Sequence, residues 1–390
     1  MNGRSALQKE VNTLILITGA RIITVANGVI EQGSVLIGDH GQIQAVLPGT
    51  IDAPPGTQVI DAAGRTLTPG LVDAYSHLGL VNQGLGWAGD DADEATDPNT
   101  AHVRALDGIY PFEEGIEDAR SGGVTTANVM PKSTNVIAGE GLALKMRKAT
   151  VADQMLLQRP TGIAAGLGEA PKARYGSEKK LPATRMGIAA VLRDALVKAQ
   201  DYKPEKARDL KCEALQPVLR RELPLCVTAH RADDIVTAIR IAREFDIKLV
   251  LVGATEGDLV ADIIADSGAA VAAGPSLAAR GRQENANPGF HLPLSLVRAG
   301  VKTAIVTGHP ELPAQYLNIA AGLAAAHGLT ADEAWRAVTL TPAEIMGVAD
   351  RVGSIEPGKD ADLVLWDGDP FELLTRVAWT MVEGKVVYEC

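Results

Sequence analysis

The feature that most constrains this chain is a change of texture along its length. Between about residues 66 and 347, short apolar runs alternate with stretches of helical periodicity, whereas the segments on either side read as strands alone. Such alternation builds a parallel sheet, because each return to the same end of the sheet needs a crossover, and the crossover is usually a helix. The short runs fall at residues 70–74, 124–129, 162–165, 225–229, 248–252, 269–273 and 302–306, and one near Leu142 brings them to about eight. Helical periodicity marks residues 232–245, 257–265, 313–326 and 330–338. Eight strands and a length of about 250 residues predict an α/β chain folded as a (β/α)8 TIM-like barrel.

The flanks predict a second unit. Residues 14–18, 20–25 and 34–38 are β-rich and separated by turn residues such as Asn27-Gly28, and residues 361–366, 377–382 and 385–388 repeat that pattern at the other end. Neither flank is long enough to build a core alone, so the two are expected to pair. The predicted layout is a small β-sandwich domain from residues 1–66 plus 348–390, carrying a barrel from 67–347.

Composition narrows the classes of function. With 46% hydrophobic and 22% charged residues the chain can bury a large core, which excludes a disordered protein. No apolar run approaches the roughly 20 residues needed to span a bilayer, so no membrane association is expected. The three cysteines, Cys212, Cys226 and Cys390, form no CxxC pair, which disfavours a disulfide framework and suits a cytoplasmic protein. A net charge of −11 without a basic cluster argues against nucleic acid and leaves small molecules or proteins as partners.

In barrels of this kind the reacting groups come from the C-terminal ends of the strands and the loops that follow. Tyr75-Ser76-His77 follows the first run, Lys145 lies near the fourth, His230 follows the fifth, Gly253 the sixth and Gly308-His309 the eighth. Of these, His77, Lys145 and His230 could bind a metal.

Five segments make the pattern specific. Pro69-Gly-Leu-Val-Asp-Ala-Tyr-Ser-His-Leu-Gly79 resembles the first-strand motif of the amidohydrolase superfamily, in which a Pro-Gly-Leu-(Ile/Val)-Asp lead brings in a His-x-His pair. The segment from Gly353 to Pro370 is similar to that superfamily's return to its sandwich domain, and Gly168-Glu-Ala-Pro-Lys172, Pro182-Ala-Thr-Arg-Met-Gly187 and Ala229-His-Arg-Ala-Asp-Asp234 resemble the imidazolonepropionase-like branch. The resemblance covers nearly the whole chain after Leu14. It implies one or two divalent metals held by two histidines after strand one, a carbamylated lysine after strand four, histidines after strands five and six, and an aspartate after strand eight.

Carried over position by position, the resemblance places Tyr75 and His77 on the His-x-His pair, Lys145 on the carbamylated lysine, His230 on the strand-five histidine, Gly253 on the strand-six histidine and Gly308 on the aspartate. Three of the six positions have lost their ligand. Gly308 is the heaviest loss, because the aspartate takes the proton from metal-bound water, and removing a general base commonly costs about two to four orders of magnitude in rate. Glu256 and His309 are alternative proton acceptors, although His309 follows Gly308 directly and so should face the other way. Arg104 and Arg185 are either substrate contacts or ties between long loops. His77 and His230 are either metal ligands or hydrogen-bonded histidines of the barrel mouth.

Three readings stay open. In the first, the chain is an impaired or inactive amidohydrolase with no metal, acting as a small-molecule binder or as a partner subunit of an active amidohydrolase. In the second, it hydrolyses an amide or related C–N bond with one divalent metal, zinc by the donor types, on His77, Lys145 and His230. In the third, Tyr75 and His309 serve as acid and base in an isomerisation or cyclisation. A homo-oligomer or hetero-oligomer is expected in each case.

Overall fold

The structure, a computed structural model, describes residues 14–390 apart from 206, 280, 282 and 287. The chain opens with β1 (Ile15–Ile23), β2 (Val29–Ile37), β3 (Ile43–Pro48), β4 (Gln58–Asp61) and β5 (Thr66–Pro69). Eight strands follow: β6 (Leu71–Ser76), β7 (Val124–Val129), β8 (Ile137–Lys145), β9 (Leu156–Gly166), β10 (Leu225–Ala229), β11 (Leu249–Gly253), β12 (Ala270–Ala273) and β13 (Thr303–Ile305). The chain closes with β14 (Leu363–Trp366), β15 (Val377–Val382) and β16 (Lys385–Glu389).

Strands β6 to β13 form one sheet in chain order. Its two edges meet, because Gly308 N donates to Tyr75 O at 3.1 Å and His77 N donates to His309 O at 2.9 Å, so the sheet is an eight-stranded barrel. One expectation needs correction: β8 runs antiparallel to both β7 and β9. The cause is chain length. Only residues 130–136 and 146–155 join it to its neighbours, and a parallel return needs about a dozen residues or more.

Helices α1 (Glu114–Ser121), α2 (Glu169–Gly176), α3 (Arg185–Gln200), α4 (Leu210–Leu219), α5 (Ala232–Phe245), α6 (Ala261–Ser267), α7 (His291–Arg298), α8 (Leu317–Ala326), α9 (Ala331–Ala337) and α10 (Leu340–Met346) supply the remaining crossovers and the outer layer. The logic of α5 is typical. Ile235, Ala238, Ile239 and Ala242 recur at helical spacing and are buried against the sheet, Asp233 and Asp234 oppose the N-terminal dipole, and Asp246 ends the helix in the left-handed region. Helix α9 starts on a capping box between Thr330 and Glu333.

Inside the barrel the side chains are small. Ala74, Ala138, Ala164, Ala270, Ala272 and Ala304 share the lumen with Tyr75, Met130, Cys226 and a few valines. The two chain ends make a second sheet in the order β16-β15-β14-β5-β1-β2-β3, with β4 beside β1. It encloses its own core, which includes Ile17, Ile22, Leu67, Leu363 and Met381. The ends pair as expected, through β5 and β14, and both flanks lie in one continuous sheet.

Where this sheet meets the barrel, Lys145 is fully buried. Its Nζ donates to Asp360 at 2.5 Å and Asp362 at 3.0 Å and lies 3.6 Å from Glu383. Arg147 and Arg351 complete the network through Glu383 and Asp360. A buried ammonium is tolerable only with such partners.

Candidate functional site

The C-terminal mouth of the barrel is organised from β6. Asp73 is buried and accepts from Tyr75 N at 3.2 Å, from Thr307 N at 3.3 Å and from the Thr307 hydroxyl. It thereby ties the first strand to the eighth. Loss of water outweighs these bonds and raises its pKa to about 7.

Tyr75 follows, with its ring packed in the lumen. Its hydroxyl lies 3.5 Å from Ser133 Oγ, which is 2.6 Å from Thr228 Oγ1 on β10, so the phenol reaches from the first barrel strand toward the fifth. Burial pushes its pKa up, with a smaller contribution from the charge of Glu311, and the hydroxyl stays protonated. His77 meets the Tyr75 ring edge-on at 5.2 Å. Its Nδ1 lies 2.7 Å from Met130 O, an acceptor, so Nδ1 carries the proton and Nε2 keeps its lone pair. Burial lowers the His77 pKa to about 4, leaving the ring neutral. An imidazole oriented by a backbone carbonyl in this way is how metal-binding histidines are commonly held.

The other positions do not complete such a set. His230 Nδ1 is 2.8 Å from Thr255 Oγ1. At Gly253 (φ +81°) a Cβ would lie 2.5 Å from His230 Cε1, so the ring of His230 fills the space where a strand-six histidine would begin. Gly308 sits at φ +55° against Pro275. Lys145 must be corrected. It ends the antiparallel β8 opposite Thr126, near the start of β7, and so belongs to the opposite pole of the barrel, where its ammonium is held by carboxylates. A lysine committed in this way does not fit the role of a carbamylated metal ligand.

Two catalytic candidates are corrected as well. His309 is fully buried and turned outward against the start of α1, its Nδ1 accepting from Ala314 N at 3.2 Å and its Nε2 only 2.5 Å from where a Gly115 Cβ would stand. Burial lowers its pKa to about 4, and it holds the 309–314 turn. Glu256 accepts from Ala232 N at 2.9 Å and so caps the N-terminus of α5. Arg104 is exposed and bonds Asp107 at 2.9 and 3.2 Å, tying its own loop.

Arg185 does reach the mouth. Its Nε donates to both Asp234 oxygens, at 3.1 and 2.9 Å, and its other arm contacts Glu284. Glu284 in turn accepts from Glu169 N at 2.7 Å and donates its own N–H to Glu169 at 3.2 Å, so Arg185 ties the starts of α2, α3 and α5 together through the loop that carries Glu284. Arg185, Glu284 and Glu169, with Lys172, Arg231 and Glu256, line an open cavity of about 730 Å³. Beside it a small cleft runs from His230 and Thr255 to Ser276 and Glu311. Glu311 is the mouth carboxylate that sequence reasoning missed. One of its oxygens lies 3.9 Å from where a Gly308 Cβ would stand, and the only signal was its place three residues beyond the vacant aspartate position. Among the described residues, no three His, Cys, Asp or Glu side chains come together so as to hold a metal ion. Among them, too, no helix is long and apolar enough to cross a membrane.

A barrel carried on a sheet from both chain ends, with an oriented histidine at the end of its first strand, is the architecture of the amidohydrolase barrels. The chain belongs to the amidohydrolase family. It is 37% identical to an amidohydrolase from Thermotoga maritima MSB8, whose crystal structure it matches with a TM-score of 0.92 over 96% of this chain and 100% of that one. The amidohydrolase family model itself matches residues 285–387. The amidohydrolase tasK of Hapsidospora irregularis is 29% identical over 92% of this chain, which spans 40% of that longer protein. The imidazolonepropionase of Mesorhizobium japonicum is 27% identical over 99% of this chain and 98% of its own length.

Proposed function

We propose that this chain keeps the amidohydrolase scaffold without the family's metal-assisted hydrolysis. It works as a small-molecule binder at the barrel mouth, assembled with itself or with an active amidohydrolase. The observation that carries this reading is steric: the ring of His230 stands where a side chain at position 253 would start, while the phenol of Tyr75 fills the lumen toward β10. The carboxylates around Lys145 and the bond from Ala314 N to His309 Nδ1 favour this reading over the one-metal and acid–base alternatives.

Elemental analysis of protein purified without chelators, paired with assays on N-acyl amino acids, dipeptides and cyclic amides, tests the proposal. The expected result is substoichiometric metal and turnover far below the enzyme median of about 10 per second. Stoichiometric zinc together with turnover near that median, both lost in His77→Ala, would overturn it.

A further inference from the structure

The opposite pole of the barrel has a cavity of its own. It holds about 530 Å³, within the range of roughly 300–1,000 Å³ typical of small-molecule sites. Its origin lies in the lumen, where bulky branched residues normally fill the layers of such a barrel. Here β12 offers Ala270 at the end nearest this pole, so the barrel is thinly filled on that side. One wall is apolar, formed by Leu249, Val250, Ala270 and Ile345, and Gln158, Thr161 and Ser267 are part of the remaining lining.

The rim is cationic. Arg221, Arg243, Lys248 and Lys302 surround the opening together with Glu222, Asp246 and Glu344. The three carboxylates are already engaged: Asp246 with Arg221, Glu344 with Lys302 at 2.9 Å, and Glu222 with Arg220 at 2.7 Å. Arg243, in the last turn of α5, and Lys248, just before β11, have no carboxylate within ion-pairing distance among the described residues. In a chain of net charge −11, two uncompensated cations beside the apolar wall of a mixed cavity favour a single negative charge on a partly apolar body.

We propose that this pole binds a small amphipathic carboxylate, its apolar part in the lumen and its carboxylate between Arg243 and Lys248. The site is independent of the barrel mouth and involves no chemical step. Because the ligand binds only the folded chain, it stabilises the barrel by mass action.

Calorimetric titration and thermal melting with octanoate, and with octan-1-ol as the uncharged counterpart, test the assignment. Octanoate is expected to bind one to one and raise Tm with concentration, with octanol at least tenfold weaker. Both cations are exposed, so the double variant Arg243→Glu, Lys248→Glu should fold normally and bind octanoate at least tenfold more weakly. Ala270→Leu, which fills the lumen, should block both ligands. No saturable binding at millimolar octanoate, equal affinity for octanol, or binding unchanged in the double reversal would each overturn the proposal.

Discussion

Asp73 carries the clearest pH signature at the scale of single residues. Its carboxyl is raised from an ordinary value near 4 to about 7, so between those values the folded chain holds a proton that the unfolded chain has released. Stability from this group therefore falls as pH rises through the window, by up to about 1.4 kcal/mol per pH unit, and the cost is complete above pH 7. His77 and His309 act in the opposite sense. Both are lowered to about 4, so as pH drops below their ordinary value of 6.5 the unfolded chain gains protons the folded chain refuses, and stability is lost toward acid. Asp73→Asn keeps the oxygen that accepts from the Tyr75 and Thr307 N–H groups. Its Tm relative to the parent should rise from about pH 4 to about pH 7 and then level off. A difference constant across that range would show that Asp73 does not titrate there. The residue types at positions 75, 253 and 308 were legible from the sequence, and the resemblance alone set them against the family's ligand positions. What Tyr75 does there was not legible, because its reach toward β10 depends on Ser133 and Thr228, distant in the chain.

Among the elements, β8 is the most instructive. Counting apolar runs finds it but does not give its direction, and Lys145 therefore reads as a mouth residue. The spacing held the answer: the connections of residues 130–136 and 146–155 are too short and lack the helix a parallel return requires. The antiparallel strand carries Lys145 to the seam with the second sheet, where it is enclosed by Asp360, Asp362 and Glu383. Removing one partner of a buried ion pair typically costs about 3–5 kcal/mol, since the remaining charges stay buried without compensation. Lys145→Met should lower unfolding stability by that order in chemical denaturation. A loss below about 1 kcal/mol would be the value of a surface pair and would contradict the buried cage.

For the molecule as a whole, the proposed assembly has a visible counterpart in the long loop between β6 and α1. Trp87 is 93% exposed there, and Leu85, Tyr110 and Phe112 are exposed on the same loop. Exposed apolar side chains of this size commonly mark interaction surfaces. Light scattering at micromolar concentration should give at least a dimer, shifted toward monomer by Trp87→Ser. A monomer at all concentrations that also fails to co-purify with a second amidohydrolase would remove the assembly from the proposal. At this scale the sequence was read most fully, because strand-like texture at both ends and βα texture between them are long-range patterns that no single residue decides. The pairing of β5 with β14 also sets the order in which the molecule can be finished during synthesis. The β5 edge is made early, yet its partner, which also brings Trp366 Nε1 to Thr68 Oγ1 at 2.9 Å, emerges from the ribosome only after the whole barrel. Until then the first five strands present an open edge, the kind of surface that recruits other chains. A chain stopped before residue 363 should therefore partition into the insoluble fraction even though its barrel is complete, and co-expressing residues 363–390 as a separate peptide should return part of it to solution.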